Sequence, residues 1–253
     1  MGLYSEKVKT CQKGSGLKLG IMQPYLFPYV GYFQLINHVD KWIVFDCVQY
    51  IDKGWINRNR ILHPNPNKEW QYFTVPICKR RRTDKINQVK IRKEECWKSK
   101  LVRQLEFYKK EAPFYNSTIG FIEEFKVPED DSLAVLVTKA LMHTLDALDI
   151  AKPIEVQSAL NLDLGLIQHP GQWALRISQE LEAKEYVNPI AGKEIFNKEE
   201  FNKAEIKLSF IKTDEVVYRQ GKRNFSPSLS ILDIMMWCSP DEIKDILSKY
   251  IIV

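Results

Sequence analysis

Two clusters in the first quarter of the chain carry the side chains best suited to chemistry. One is Gln23-Pro24-Tyr25-Leu26-Phe27-Pro28-Tyr29-Val30-Gly31-Tyr32, where four aromatic rings sit among two prolines and a glycine. Loops normally shed aromatics, so this loop keeps them either as a small satellite core or for binding. Gln23, Tyr29 and Tyr32 have polar tips, Pro24 stiffens the backbone, and Gly31 permits close approach of a phosphate. The second cluster runs from Asp46 through Gln49 and Trp55 to Asn57-Arg58-Asn59-Arg60. Asp46 could serve as a base or as a metal-associated carboxylate. Arg58 and Arg60 could grip phosphate or carboxylate bidentately and neutralise developing charge. Gln49, Asn57 and Asn59 add amides, and the Trp55 indole offers a face to a base or sugar. The bland alternative is a strand with one solvated face. Alternation along a strand is expected to divide this set, one Asn–Arg pair on a cleft and the other in the structure.

Those clusters need elements to hold them. Leu17 to Met22 is a short apolar run suited to a buried opening strand, which the two prolines then interrupt. A short helix around Phe33, Leu35 and Ile36 leads to a second buried strand, Trp42 to Asp46. The spacing predicts further strands over 70–76, 86–91, 154–157 and 205–211. It predicts helices over 97–108, 133–148 and 171–184, with Ser132 capping the second of these. Ser239-Pro240-Asp241-Glu242 is a capping box that opens a last helix. Strands and helices alternate throughout, so the fold class is α/β with a mostly parallel sheet and flanking helices. Both clusters then follow strand carboxyl ends, where open α/β sheets bind ligands, and both motif loops should share that edge. Met22 and Phe45 should lie on adjacent central strands. A single domain over 17–253 is expected after a short disordered leader, 1–16, with a soft boundary at 113–131 and a helical subdomain conceivable beyond it.

Composition narrows the function classes. The 253 residues are 45% hydrophobic and 27% charged, enough apolar surface to exclude a disordered or low-complexity chain. No apolar run reaches the length of a membrane span, and the first residues lack the apolar core of a secretory signal. Cys11, Cys47, Cys78, Cys96 and Cys238 are scattered, with no CxxC pair, which points to free thiols and a cytoplasmic protein. Without a nearby His in any motif, Cys47 is a weak nucleophile candidate. The four histidines are too widely spaced to form a local metal motif, so no metal site is expected from them. Net charge is +5, and residues 79–103 hold eleven Lys or Arg against three acids. This stretch is a solvated loop, a phosphate-steering patch or a peripheral membrane contact. No recognised motif supports nucleic-acid binding.

The pattern QPYLFPYVGYFQLI, then D-x-W-I-V-F-D, W-x-N-R-N-R-I and F-T-V-P resembles the WbqC-like family of bacterial proteins. Tyr218-Arg-Gln220 and Phe225-Ser-Pro-Ser-Leu-Ser230-Ile-Leu-Asp233 extend the resemblance over most of the chain. It implies a part in O-antigen or other surface-polysaccharide biosynthesis. A cytoplasmic transferase acting on a nucleotide-linked amino sugar, by acyl, aminoacyl or nucleotidyl transfer, fits that setting. ATP or a nucleotide-sugar, with Mg2+, would be its small-molecule partners. The alternative is a non-catalytic partner of a glycan-assembly enzyme or lipid-linked intermediate. Tyr29-Val-Gly31-Tyr32 is also distantly similar to the HxGH motif of nucleotidylyltransferases, with tyrosines where that motif has histidines.

Overall fold

The computed structural model describes residues 16–253, so the expected leader lies outside the described residues except for Gly16. In chain order the elements are β1 (Lys18–Met22), α1 (Val30–His38), β2 (Lys41–Val44), β3 (Arg58–Leu62) and β4 (Trp70–Thr74). Next come α2 (Trp97–Leu105), α3 (Tyr115–Glu124), α4 (Leu133–Ala147), β5 (Ile154–Val156) and α5 (Gln172–Glu180). The chain continues through β6 (Glu185–Pro189), α6 (Lys198–Lys203), β7 (Lys207–Thr213), α7 (Ile231–Trp237), α8 (Pro240–Ser248) and β8 (Tyr250–Ile252).

Six strands form one sheet in the order β5-β2-β1-β6-β7-β8, parallel throughout except for the β7–β8 pair. The α/β class with a mostly parallel sheet and flanking helices is therefore correct. Alternation along the strands sorts the core onto two faces. Leu19, Ile21, Ile43 and Tyr186 pack with Leu175, Ile177 and Phe201 of α5 and α6. Trp42, Val44 and Val187 instead join Leu35 and Ile36 of α1 and the larger core built by α2, α3, α4 and α7. The expected neighbours also hold: Met22 pairs with Val44, and the Phe45 amide donates to the Met22 carbonyl at 2.8 Å.

Local signals were read correctly where the cap is local. Ser132 accepts from the Val135 amide at the start of α4, and Ser239 with Glu242 closes the capping box of α8. Two expectations change, and one strand is new. Residues 86–91 are not a strand: Ile86–Gln88 is a 3-10 turn, and Lys90 and Ile91 make only isolated bridges. Their alternation came from burying Ile86, Val89 and Ile91 beneath α4 rather than from a ladder. The strand at 70–76 exists as β4, but it pairs with β3 in a separate antiparallel hairpin. The chain end, Tyr250–Ile252, adds an edge strand that no period-two pattern announced. Within 113–131 lies α3, which packs on α2 and α7.

Candidate active site and the hairpin beside it

Asp46 stands two residues past β2, at the carboxyl edge of the sheet. It is 1% exposed, and neighbouring β5 ends close by, so the turn at Gln157–Ala159 meets it. Its Oδ1 accepts the Ser158 amide at 3.0 Å and its Oδ2 accepts the Ser158 hydroxyl at 2.6 Å. The Cys47 thiol also donates to Oδ1, at 3.6 Å. Burial first, then the Asp46 charge, push the Cys47 thiol up to about 11, so it stays protonated at neutral pH and makes a poor nucleophile. Asp46 and Ser158 open on a cavity of about 680 Å³ whose walls include Asn87, Lys90, Asp131 and Lys139. Lys90 is tied to Asp131 at 3.0 Å, whereas Lys139 has no ion pair among the described residues. A fixed carboxylate, an oriented hydroxyl and a free ammonium thus face one space of small-ligand size. Among the described residues no three His, Cys, Asp or Glu side chains gather as a metal-binding set.

The opening loop and the second cluster do meet. The Leu26 amide donates to the Trp55 carbonyl at 3.3 Å, so both motif loops share one edge. Phe27, fully buried, adopts φ 41°, a left-handed conformation that disfavours side chains. Its carbonyl is pinned by the Asn59 amide at 3.0 Å and the Ser230 hydroxyl at 2.7 Å. The aromatics of this loop therefore serve mainly as packing. Tyr32 is 1% exposed, meets Trp42 edge to face, and donates to the Gln23 carbonyl at 2.8 Å. The hydroxyl expected at a ligand is thus held inside the protein by the Gln23 carbonyl. Pro24 is buried, while Gln23 and Tyr29 keep partial exposure. A Cβ on Gly31 would lie 2.5 Å from the Tyr29 ring and 2.8 Å from the Thr213 hydroxyl. The close approach that Gly31 permits is thus made by protein atoms, and burial raises the Tyr29 phenol further above its ordinary value.

The Asn–Arg run divides differently from the expectation. Period-two alternation groups Asn57 with Asn59 and Arg58 with Arg60, so no Asn–Arg pair shares a face. Both asparagines are buried: Asn57 accepts from the Tyr50 hydroxyl at 2.7 Å and donates to the Val75 carbonyl at 2.8 Å. Both arginines lie on the outer face of the hairpin. Arg58 caps the Lys53 and Gly54 carbonyls and stacks over Tyr72 at 4.0 Å. Arg60 lies 5.1 Å from both the Trp55 and Trp70 rings and donates to the Ser228 carbonyl at 3.1 Å. The guanidinium forks are thus engaged with carbonyls and rings. Neither arginine lines the Asp46 cavity. Gln49 is exposed and donates to the Arg82 carbonyl at 2.7 Å. In the basic block, Arg80 pairs with Asp52 over the Tyr50 ring and Arg81 pairs with Asp84, which makes much of it a loop closure.

A polar network that sequence reasoning left unassigned ties the late segment to this hairpin. Asp233 is fully buried and accepts from the Tyr108 hydroxyl, the Tyr218 hydroxyl at 2.6 Å and the Gln220 amide at 2.8 Å. The Tyr108 oxygen in turn accepts the Leu62 amide of β3 at 2.9 Å. Burial raises the Asp233 carboxyl above its ordinary value despite these donors. The available signal was the clustering of Tyr218, Gln220 and Asp233, but Tyr108 lies more than a hundred residues earlier. Ser158 was missed for the same reason.

The chain is 28% identical over 220 residues to the uncharacterized protein Rv1507c of Mycobacterium tuberculosis, covering 86% of this chain and 92% of that one. No solved structure matches it. Residues 23–245 match the WbqC-like protein family, a span that includes the opening loop, Asp46, the hairpin and the Asp233 network, and the chain belongs to that family.

Proposed function

We propose that this protein is a transferase of surface-polysaccharide biosynthesis, acting on a nucleotide-linked amino sugar at the Asp46 cavity. Family membership supports the polysaccharide setting. The observation that carries the site is the Asp46–Ser158 pair at the carboxyl edge of the parallel sheet, open to a cavity of about 680 Å³. In this reading the acceptor amine or hydroxyl attacks the activated acyl, aminoacyl or nucleotidyl group. The new bond forms as the donor's leaving group departs, and the acceptor's proton passes to the Asp46 carboxylate with Ser158 as its hydrogen-bonded neighbour. Lys139 offers positive charge to the anionic donor, the part expected of Arg58 and Arg60. Arg58 and Arg60 hold the hairpin and opening loop that flank the sheet edge.

The test is thermal-shift and titration calorimetry with ATP and with UDP-N-acetylglucosamine. Binding by at least one, weakened by Lys139→Ala and by Asp46→Asn at unchanged fold, supports the reading. No binding by either ligand, together with capture on vesicles containing anionic lipid, favours the non-catalytic alternative. No helix among the described residues is long and apolar enough to cross a membrane.

A further inference from the structure

A second cavity, of about 540 Å³, lies between β4 and the start of α2. It shares no lining residue with the Asp46 cavity. Arg92, Lys100 and Arg103 line it against one acid, Glu95, which is already bound to Arg92 at 2.7 Å. Lys100 and Arg103 stand three residues apart on α2, hence on one face, and neither has an ion pair among the described residues. The lining also includes Thr74 of β4, the buried Trp97 at the start of α2, and Asn57, whose amide is locked by Tyr50 and Val75. Two uncompensated cations on one helix, lining a concavity that also holds a tryptophan, suit a compact ligand with adjacent negative charges.

We propose that this cavity binds a diphosphate group, held by Lys100 and Arg103 with Arg92 at its rim. The site goes beyond the proposed reaction at Asp46 and stands without it. It also assigns a use to part of the basic stretch 79–103: Arg80 and Arg81 close a loop, and Arg92, Lys100 and Arg103 serve the cavity. Diphosphate can arrive free or as part of a nucleotide, and Trp97 would distinguish the two by contact with a nucleoside.

The protein supplies its own reporter. Cys96 is exposed and lines the cavity, whereas Cys47 lines the edge beside Asp46 and Cys238 is buried. Inorganic diphosphate and uridine diphosphate would each be titrated into the full chain by calorimetry, with peptide-level mass spectrometry of iodoacetamide labelling in parallel. Saturable binding is expected, with slower alkylation at Cys96 and an unchanged rate at Cys47. Arg103→Ala and Lys100→Ala should each weaken binding by about tenfold, the loss of one charge-assisted contact. Lys109→Ala, an exposed charge loss elsewhere, should leave it unchanged. Tighter binding of uridine diphosphate would assign the nucleoside to the Trp97 wall, and equal affinities would assign the free diphosphate. No saturable binding of either at low millimolar concentration would overturn the proposal, as would binding that leaves Cys96 labelling and the Arg103→Ala affinity untouched.

Discussion

Asn59→Ala tests how the opening loop is held. Asn59 is 4% exposed; its Nδ2 donates to the Leu26 and Phe27 carbonyls at 3.0 Å each, and its Oδ1 accepts the Arg60 amide at 2.8 Å. The hairpin register matters here. The Val75 amide bonds to the Asn57 carbonyl, so residues 57, 59 and 61 make the hydrogen-bonded pairs with β4 and the Arg60 amide points away from it. Truncation therefore strips the Arg60 amide and the Leu26 carbonyl of these partners, while the Phe27 carbonyl keeps Ser230. At about 1–3 kcal/mol for each buried group left unpaired, with some relaxation, the loss is about 3 kcal/mol. For a chain of this size that lowers Tm by roughly 6–12 °C. Urea denaturation and calorimetry of wild type, Asn59→Ala and Asn59→Asp would measure it. Asp keeps the acceptor for Arg60 but sets a negative oxygen against two carbonyls, so it should destabilise more than Ala. An Asn59→Ala loss below about 0.5 kcal/mol, the range of ordinary surface changes, would refute the reasoning. So would an Asp variant as stable as wild type.

Three further outcomes are expected. The raised Asp233 carboxyl contributes stability that is fully present below its unfolded pKa and is lost as pH rises through the folded value. As pH rises above the ordinary carboxylate range, stability should therefore fall more steeply in wild type than in Asp233→Asn, and parallel slopes would contradict the assignment. Arg60→Lys should cost about 1 kcal/mol in urea denaturation, since an ammonium cannot lie flat between Trp55 and Trp70 while reaching the Ser228 carbonyl. Leu136→Ala, fully buried on α4, should cost about 2–5 kcal/mol, whereas Met142→Ala on the exposed side of the same helix should stay within about 0.5 kcal/mol.

Where a residue's partner lies nearby in sequence, the structure was legible beforehand. The Ser132 and Ser239 caps, the α4 stripe and the apolar runs of β1 and β2 all depend on neighbours within a few positions. The place of Asp46 was also legible, because a residue just past a buried strand of a parallel sheet lies at that sheet's carboxyl edge. Its partner Ser158 was not, being 112 residues away. The Asn57 to Arg60 run shows the same limit. Alternation fixed which residues share a face, but which face met protein depended on the Leu26 and Phe27 carbonyls and on Tyr50. Tyr32 resembled a ligand contact because its hydroxyl is polar, yet the Gln23 carbonyl satisfies that hydroxyl inside the core.

The central claim, that the Asp46 edge performs a transfer in surface-polysaccharide assembly, is met most directly by one measurement. A strain lacking this gene would be complemented with wild type or with Asp46→Asn, and its surface polysaccharide analysed by mass spectrometry at matched protein levels. Asparagine keeps an acceptor for the Ser158 amide and removes the proton-accepting carboxylate. The account predicts a defined mass difference in the repeating unit, repaired by wild type and left unrepaired by Asp46→Asn. A wild-type glycan from the Asp46→Asn strain, or a glycan unchanged by deletion of the gene, would contradict it.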